Sequence, residues 1–338
     1  MKEKLKNWTV ELRLSFLTAT IVSILLGTCI AWTRTGVFSP GYFLLTLVGG
    51  VFLHLGTNVA NDYFDYKSGN DEVNREFVRP FSGGSRTIQL GLLTPREVIS
   101  GALLFFAIGT SIGLFLAWTR GAPVLTIGLF GLFSGFFYTA PPFNLVNKGI
   151  GEVFVGVNFG ALMTLGTYYV QTQTLTLEPL IASIPVSLLI TAVLYINEFP
   201  DFAADKAVGK NTLIVRLGKQ RAVYGYALIT LGAYTAILLG VLVGVMPIST
   251  LVALASLPLI VEATLHARRF HSNSVALAPA NALTIASHFF TSLLLSLGYL
   301  LYGFKTSSVL FFIALSTTGL CIFFTTYLLI KTVKRKQL

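Results

Sequence analysis

Apolar residues along this chain gather in long stretches, with neither the three-to-four spacing of an amphipathic helix nor the alternation of a half-buried strand. A helix rises about 1.5 Å per residue, so about 20 apolar residues cross the roughly 30 Å hydrocarbon layer of a bilayer. Stretches of that length fall near residues 14–33, 41–62, 97–118, 122–139, 151–171, 179–198, 222–243, 247–267, 279–302 and 307–330. The pattern predicts an all-α polytopic bundle forming one integral membrane domain over 1–338, with a core at about 10–302 and a tenth helix at 307–330. The first stretch is long and is followed by no small-residue cleavage site, which predicts a retained helix and not a removed signal peptide.

Composition agrees with this pattern. At 54% hydrophobic, 11% charged and a mean hydropathy of +0.75, the 338 residues are too apolar for an ordinary soluble domain. The charge is one-sided as well. With both termini on the cytoplasmic side, only Arg34, Arg120 and Lys305 of the 24 basic residues fall on the opposite face, and the other 21 stay inside. The net charge of +10 therefore sets topology and attracts anionic lipid, and it is no nucleic-acid footprint. Cys29 and Cys321 sit within apolar stretches without a metal-binding or redox spacing, as packing residues do.

The five aspartates stand out against this background. All lie in two short stretches, NDYFDYKSGND (Asn61 to Asp71) and NEFPDFAAD (Asn197 to Asp205), each leaving a membrane helix toward the cytoplasmic loop. Each begins with an Asn followed four residues later by an Asp, four helices apart, which suggests two related halves. On a helix that spacing puts Asn61 and Asp65 on one face, about 6 Å apart along the axis, and aligns Asn197, Asp201 and Asp205 likewise. Gly69 would let the chain turn and carry Asp71 back toward the first column. Pro200 predicts an end or kink of the second helix, with Asp201 and Asp205 on a following turn. Carboxylates this crowded call for a hard cation, and Mg²⁺ takes oxygen ligands from one or two carboxylates together with water and substrate phosphate. Two such clusters facing one cavity would hold Mg²⁺ against a diphosphate, with Arg79, Arg86, Lys148, Lys206 and Lys210 neutralising phosphate charge. A solvated helix cap explains one such cluster alone, but not two matched clusters that use every aspartate. Asp62 lies out of register, where capping or support of the site is as good a reading as metal binding.

The pairing of NDxxD and Asp71 with NxxxDxxxD resembles the UbiA superfamily of intramembrane aromatic prenyltransferases. RPFSGGSRTIQLGLLTP (Arg79 to Pro95), YTAPPF (Tyr138 to Phe143), KGIGE (Lys148 to Glu152) and DKAVGKNTLIVRLG (Asp205 to Gly218) resemble it too, so the likeness spans roughly residues 10 to 300. It implies about nine core membrane helices with the acidic loops capping a cavity on the cytoplasmic face of the cell membrane. It also implies that Mg²⁺ is held by Asn61, Asp65, Asp71, Asn197, Asp201 and Asp205. The diphosphate of a polyprenyl donor would lie against Arg13, Lys67, Arg79, Arg86, Lys148, Lys206 and Lys210, although Leu14 stands where the family's early Arg is often followed by Pro. Asp65 and Asp201 would serve catalysis, and Tyr138 and Lys148 would orient the aromatic acceptor or handle its proton. A Tyr at a helix end is also a common interfacial anchor. KSGND followed by FSGGSR is similar to the 1,4-dihydroxy-2-naphthoate polyprenyltransferases of menaquinone synthesis, which implies that acceptor; another acceptor remains the alternative. His54 could face the cavity or bond a neighbouring helix, and many of the 27 Phe would wall the lipid tail or pack. The competing class is an ion-coupled transporter, whose acids sit near the bilayer midplane and not at helix ends among basic residues. A CDP-alcohol phosphotransferase would carry a DG…AR…G…D…D arrangement, which is not in this chain.

Overall fold

A computed structural model describes residues 2–304; the helix expected at 307–330, together with Lys305 and Cys321, lies outside the described residues. In chain order the helices are α1 (Lys2–Glu11), α2 (Thr18–Thr35), α3 (Pro40–Ser68), α4 (Asn70–Val73), α5 (Pro95–Arg120), α6 (Ala122–Phe136), α7 (Gly151–Gly156), α8 (Met163–Thr172), α9 (Leu177–Ala207), α10 (Leu213–Leu217), α11 (Lys219–Leu242), α12 (Leu257–Phe270) and α13 (Ser274–Gly303). Joined across intervening 3-10 and π turns, they give, among the described residues, eight segments long and apolar enough to cross a membrane. No strand occurs among the described residues. This is a polytopic, all-helical membrane protein.

Two of the expected stretches prove too short at their acidic ends. The helix expected at 41–62 runs to Ser68, and that expected at 179–198 runs to Ala207, so both polar tails continue as helix. The stretch at 122–139 departs the other way, because α6 has only 15 residues, about 22 Å of helix. It still joins the two ends of the bundle. Its start adjoins Arg120, whose guanidinium donates to the Val170 and Gln171 carbonyls at 2.6 and 2.9 Å, and its end leads into Tyr138 beside the aspartates.

Pro200 does not end α9, and Asp201 and Asp205 do not sit on a separate following turn as the sequence led one to expect; the helix continues through the proline to Ala207. A proline removes the N–H that would bond the carbonyl four residues back, here that of Ile196. That carbonyl instead accepts from Asn281 Nδ2 of α13 at 3.1 Å, and the same amide donates to Asn197 Oδ1 at 2.7 Å. In hydrocarbon an unpaired carbonyl is costly, so a side chain 85 residues away completes the helix.

Small residues let the helices approach closely. A Cβ at Gly27 of α2 would stand 2.4 Å from the Thr164 carbonyl of α8, and one at Gly160 would stand 2.1 Å from Ser187 Oγ of α9. One apolar core joins α2, α9, α11, α12 and α13 around Leu189, Tyr195 and Tyr299, and a second joins α3 to α5 around Val59 and Phe106. A π turn, Val157–Leu162, separates α7 from α8. That turn, with α3, α6 and α9, lines a cavity that the aspartates of both acidic stretches also line.

Candidate active site

The cavity has a volume of about 300 Å³ and changes character along its length. At one end it is lined by Asn61, Asp65, Asp71, Asn197, Asp201, Asp205, Arg13 and Lys210. Farther in, Leu53, Ile127, Phe159, Leu162, Met163 and Val193 make it apolar. The columns expected from four-residue spacing are present: Asn61 Nδ2 donates to Asp65 Oδ2 at 3.2 Å, and α9 presents Asn197, Asp201 and Asp205 to the same space. Gly69 caps α3 with φ +77°, a left-handed conformation that glycine takes without penalty, and α4 then turns back to bury Asp71 in the lining.

The two acidic helix ends, far apart in sequence, are tied directly together. Asn70 Nδ2 donates to Asp205 Oδ1 at 3.1 Å, and Asn74 Nδ2 donates to Asp201 Oδ1 at 2.7 Å. Lys210 Nζ lies between them, 3.2 Å from Asp65 Oδ1 and 3.7 Å from Asp205 Oδ1. Burial opposes the charge on Lys210, yet Asp65 and Asp205 hold its amine well above the ordinary lysine value. Burial, reinforced by Asp65 and Asp62, pushes Asp71 up to about 8 against the pull of Arg86 and Lys210.

The loop between α4 and α5 covers the site. Gly83 N donates to Asp201 Oδ2 at 3.4 Å and Gln89 Nε2 to Asp71 Oδ2 at 2.8 Å, while Arg86 Nη2 bonds the Asp71 carbonyl at 2.8 Å. Gly84 has φ +65°, and a Cβ there would meet Asp62 Oδ1 at 2.9 Å, so glycine lets the backbone press against that acid. Asp62 is buried away from the lining, accepts from Ser85 N at 3.0 Å and faces Arg13 at 3.8 Å. It holds the loop.

The basic residues divide. Arg13 and Lys210 line the cavity. Arg86 stacks 4.3 Å from the Phe77 ring, and Arg79, exposed, reaches the Ser85 carbonyl. Lys67, Lys148 and Lys206 are exposed and outside the lining; Lys148 stands 5.9 Å from the Phe143 ring. Tyr138 lines the cavity, and burial followed by the Glu198 charge pushes its phenol well above the ordinary value, leaving a neutral donor. His54 both lines the cavity and bonds Thr20 Oγ1 through Nδ1 at 2.8 Å.

Several residues were not singled out from sequence as part of the site. Asn70, Asn74 and Gln89 bond the aspartates, Glu198 is buried in the lining with one carboxyl oxygen unpartnered, and Asn58 has an unpartnered amide nitrogen there. Asn158 pairs with Ser134 at 2.8 Å, and both line the cavity. Asn70 and Asn74 repeat the four-residue spacing of the motif, a signal that the sequence does carry.

The donor set fits a hard divalent cation: four carboxylates and two carboxamides converge on one cavity end, and the buried Asn70 Oδ1 has no partner. Among the described residues no three carboxylate, imidazole or thiol groups are placed to hold one ion by themselves. Binding would need oxygens from a ligand and water, as Mg²⁺ ordinarily does.

Comparison with known proteins matches this arrangement. Residues 20–275 match the UbiA prenyltransferase family. The 1,4-dihydroxy-2-naphthoate octaprenyltransferase of Escherichia coli (strain K12) is 30% identical over 302 residues, covering 87% of this chain and 95% of that protein. The 2-carboxy-1,4-naphthoquinone phytyltransferase of Synechocystis is 28% identical, covering 87% and 93%. Among solved structures, an apo UbiA homolog from Aeropyrum pernix K1 superposes with TM-score 0.62 at 15% identity, over 83% of this chain and 97% of that one. A UbiA homolog from Archaeoglobus fulgidus bound to DMAPP and Mg²⁺ gives TM-score 0.54 at 16% identity, over 85% and 99%. With two acid-bearing helix ends knitted over an apolar cavity and a family match across three quarters of its length, the chain belongs to the UbiA prenyltransferase family.

Proposed function

We infer that this prenyltransferase moves a polyprenyl group from its diphosphate to 1,4-dihydroxy-2-naphthoate, with Mg²⁺, at the cytoplasmic face of the cell membrane with both termini inside. The observation that carries the reading is the meeting of Asp65, Asp71, Asp201 and Asp205 near Lys210 at one end of a cavity whose remaining lining is largely apolar with a few polar groups. The acceptor is supported by the names of the Escherichia coli and Synechocystis relatives and by the KSGND spacing.

An allylic diphosphate is a latent carbocation whose C–O bond breaks once the departing charge is stabilised. Asp65, Asp71, Asp201 and Asp205, with Asn61 and Asn197, would hold Mg²⁺, which supplies Lewis-acid stabilisation to the diphosphate oxygens. Lys210 and Arg13 add positive charge from the lining, and Arg79, Arg86, Lys67, Lys148 and Lys206 raise the potential at the mouth. The apolar wall takes the prenyl tail and keeps water from the cation. Asn58 and His54 lie about 10 and 16 Å along α3 from Asp65, below the space where the diphosphate sits. Tyr138, Glu198 and Asn58 are therefore the groups that orient the oxygens of the aromatic acceptor against the allylic carbon.

The deciding experiment incubates the purified protein in lipid with one isotope-labelled prenyl diphosphate and a panel of aromatic acceptors, with Mg²⁺ or with EDTA. Mass spectrometry should find prenylated product and free diphosphate with the naphthoate acceptor and Mg²⁺ only. Product on a different acceptor alone overturns the acceptor assignment. Ion flux without product from any acceptor overturns the whole reading in favour of transport.

A further inference from the structure

The amphipathic N-terminal helix looks like a positively charged leader, but its last residue reaches into the site's cover. Glu11 has no exposed surface. One of its oxygens, Oε2, accepts from Ser85 Oγ at 2.5 Å and from the Thr87 hydroxyl. Those hydroxyls belong to the loop whose backbone and side chains contact three aspartates: Gly83 N on Asp201, Ser85 N on Asp62 and Gln89 Nε2 on Asp71. α1 is itself fixed. The Trp8 ring sits where a Cβ at Gly101 of α5 would be only 2.3 Å away, and it meets Phe105 edge-on at 6.3 Å. Asn7 Nδ2 donates to the Leu92 carbonyl at 3.1 Å, and Lys4 pairs with Glu97. Two residues past Glu11, Arg13 takes a left-handed backbone with φ +47° and turns into the cavity lining.

A fully buried carboxylate on a surface helix is costly unless its partners are worth having. Plain attachment of α1 is already provided by Trp8, Asn7 and Lys4. Glu11 grips only the loop that roofs the acids.

We propose that Glu11 is a positioning residue for the diphosphate site, and that α1 works as a strap clamping the Ser82–Gln89 loop over the aspartates. The strap rests on the prenyl-transfer reading only for its kinetic consequence; its structural consequence stands apart from it. A loose loop loses the Gly83, Gln89 and Arg86 contacts together, so the aspartates and the bound diphosphate are affected while the deeper acceptor groups are not.

The test compares wild type with Glu11→Ala, Glu11→Gln and the double variant Ser85→Ala/Thr87→Val in lipid nanodiscs. Amide hydrogen exchange of residues 82–89 is read alongside KM for the prenyl diphosphate, KM for the acceptor and kcat. For Glu11→Ala and for the double variant, exchange of 82–89 should accelerate about tenfold or more, with the membrane helices unchanged. KM for the prenyl diphosphate should rise about tenfold with acceptor KM within about twofold, and Glu11→Gln, which keeps an accepting oxygen, should recover most of both. Unchanged exchange in the loop, or acceleration spread through all helices with both KM values rising together, overturns the strap. A wild type that transfers no prenyl group to any acceptor defeats the functional reading, while the exchange comparison still decides the strap. If Glu11→Ala does not accumulate, the double variant decides by the same criteria.

Discussion

Asp65, Asp71, Asp201 and Asp205 line one end of the cavity together with a single lysine, Lys210. Asp65 and Asp201 come from different helix ends, and each touches the other end's elements: Asp65 through Lys210, Asp201 through Asn74. Asp65→Ala or Asp201→Ala should lower kcat by about 10²–10³-fold while the protein still inserts in membranes. Full activity in both variants, measured by product release at saturating substrate, would remove those side chains from the mechanism. Glu11 gives a pH prediction. Burial and then the Asp62 charge raise its carboxyl from 4.5 to about 7, against the Ser85 and Thr87 hydroxyls and Arg13. A raised acid binds its proton more tightly when folded, so the contribution is complete below about 4.5 and fades as pH rises through about 7. Exchange in 82–89, corrected for the intrinsic rate, should therefore be roughly three- to tenfold faster at pH 8 than at pH 6, and Glu11→Gln should flatten the difference. The aspartate columns were legible because helical period alone aligns residues four apart. Gln89 and Glu11 were not, since their partners lie 18 and 74 to 76 residues away and no local pattern marks such pairings; the spacing of Asn74 marks it as a candidate but not its partner, 127 residues away.

At the scale of the helix, Pro200 shows how a local rule is overruled from a distance. Sequence predicts an end or kink, because proline removes a donor; the helix continues past it, and Asn281 supplies a donor to the freed Ile196 carbonyl. Asn281→Leu leaves the Ile196 carbonyl without that donor and Asn197 Oδ1 without its anchor, and should cost about 1–3 kcal/mol, seen as a lower thermal midpoint in detergent. An unchanged midpoint would mean that the carbonyl finds another donor. The apolar stretches were readable as helices, since length and hydropathy suffice for that. Their polar ends were not, because the outer turn of α9 is held by α4 and the covering loop, and that of α3 by Lys210, instead of by lipid.

Across the whole molecule, the acids gather at one end, while Arg34 pairs with Glu178 at 2.7 Å and Arg120 caps α8 at the other. This polarity matches the one-sided charge in the sequence. It gives a direct check of orientation: in a variant with Cys29 and Cys321 replaced by serine, a membrane-impermeant maleimide should label Lys206→Cys only from the cytoplasmic side and Thr174→Cys only from the other. Labelling of both from one side overturns the topology.

Lys210 remains as the feature with the widest reach. Its amine lies between Asp65 of one helix end and Asp205 of the other, whose charges would otherwise drive those ends apart, so it works as an internal counter-ion. The resting protein should then be indifferent to chelators: EDTA should leave the wild-type thermal midpoint in place, whereas Lys210→Met should be stable only while magnesium is supplied. A protein built this way carries in its own sequence the charge that keeps the two acidic helix ends in register, so the geometry of that corner is set by the fold itself.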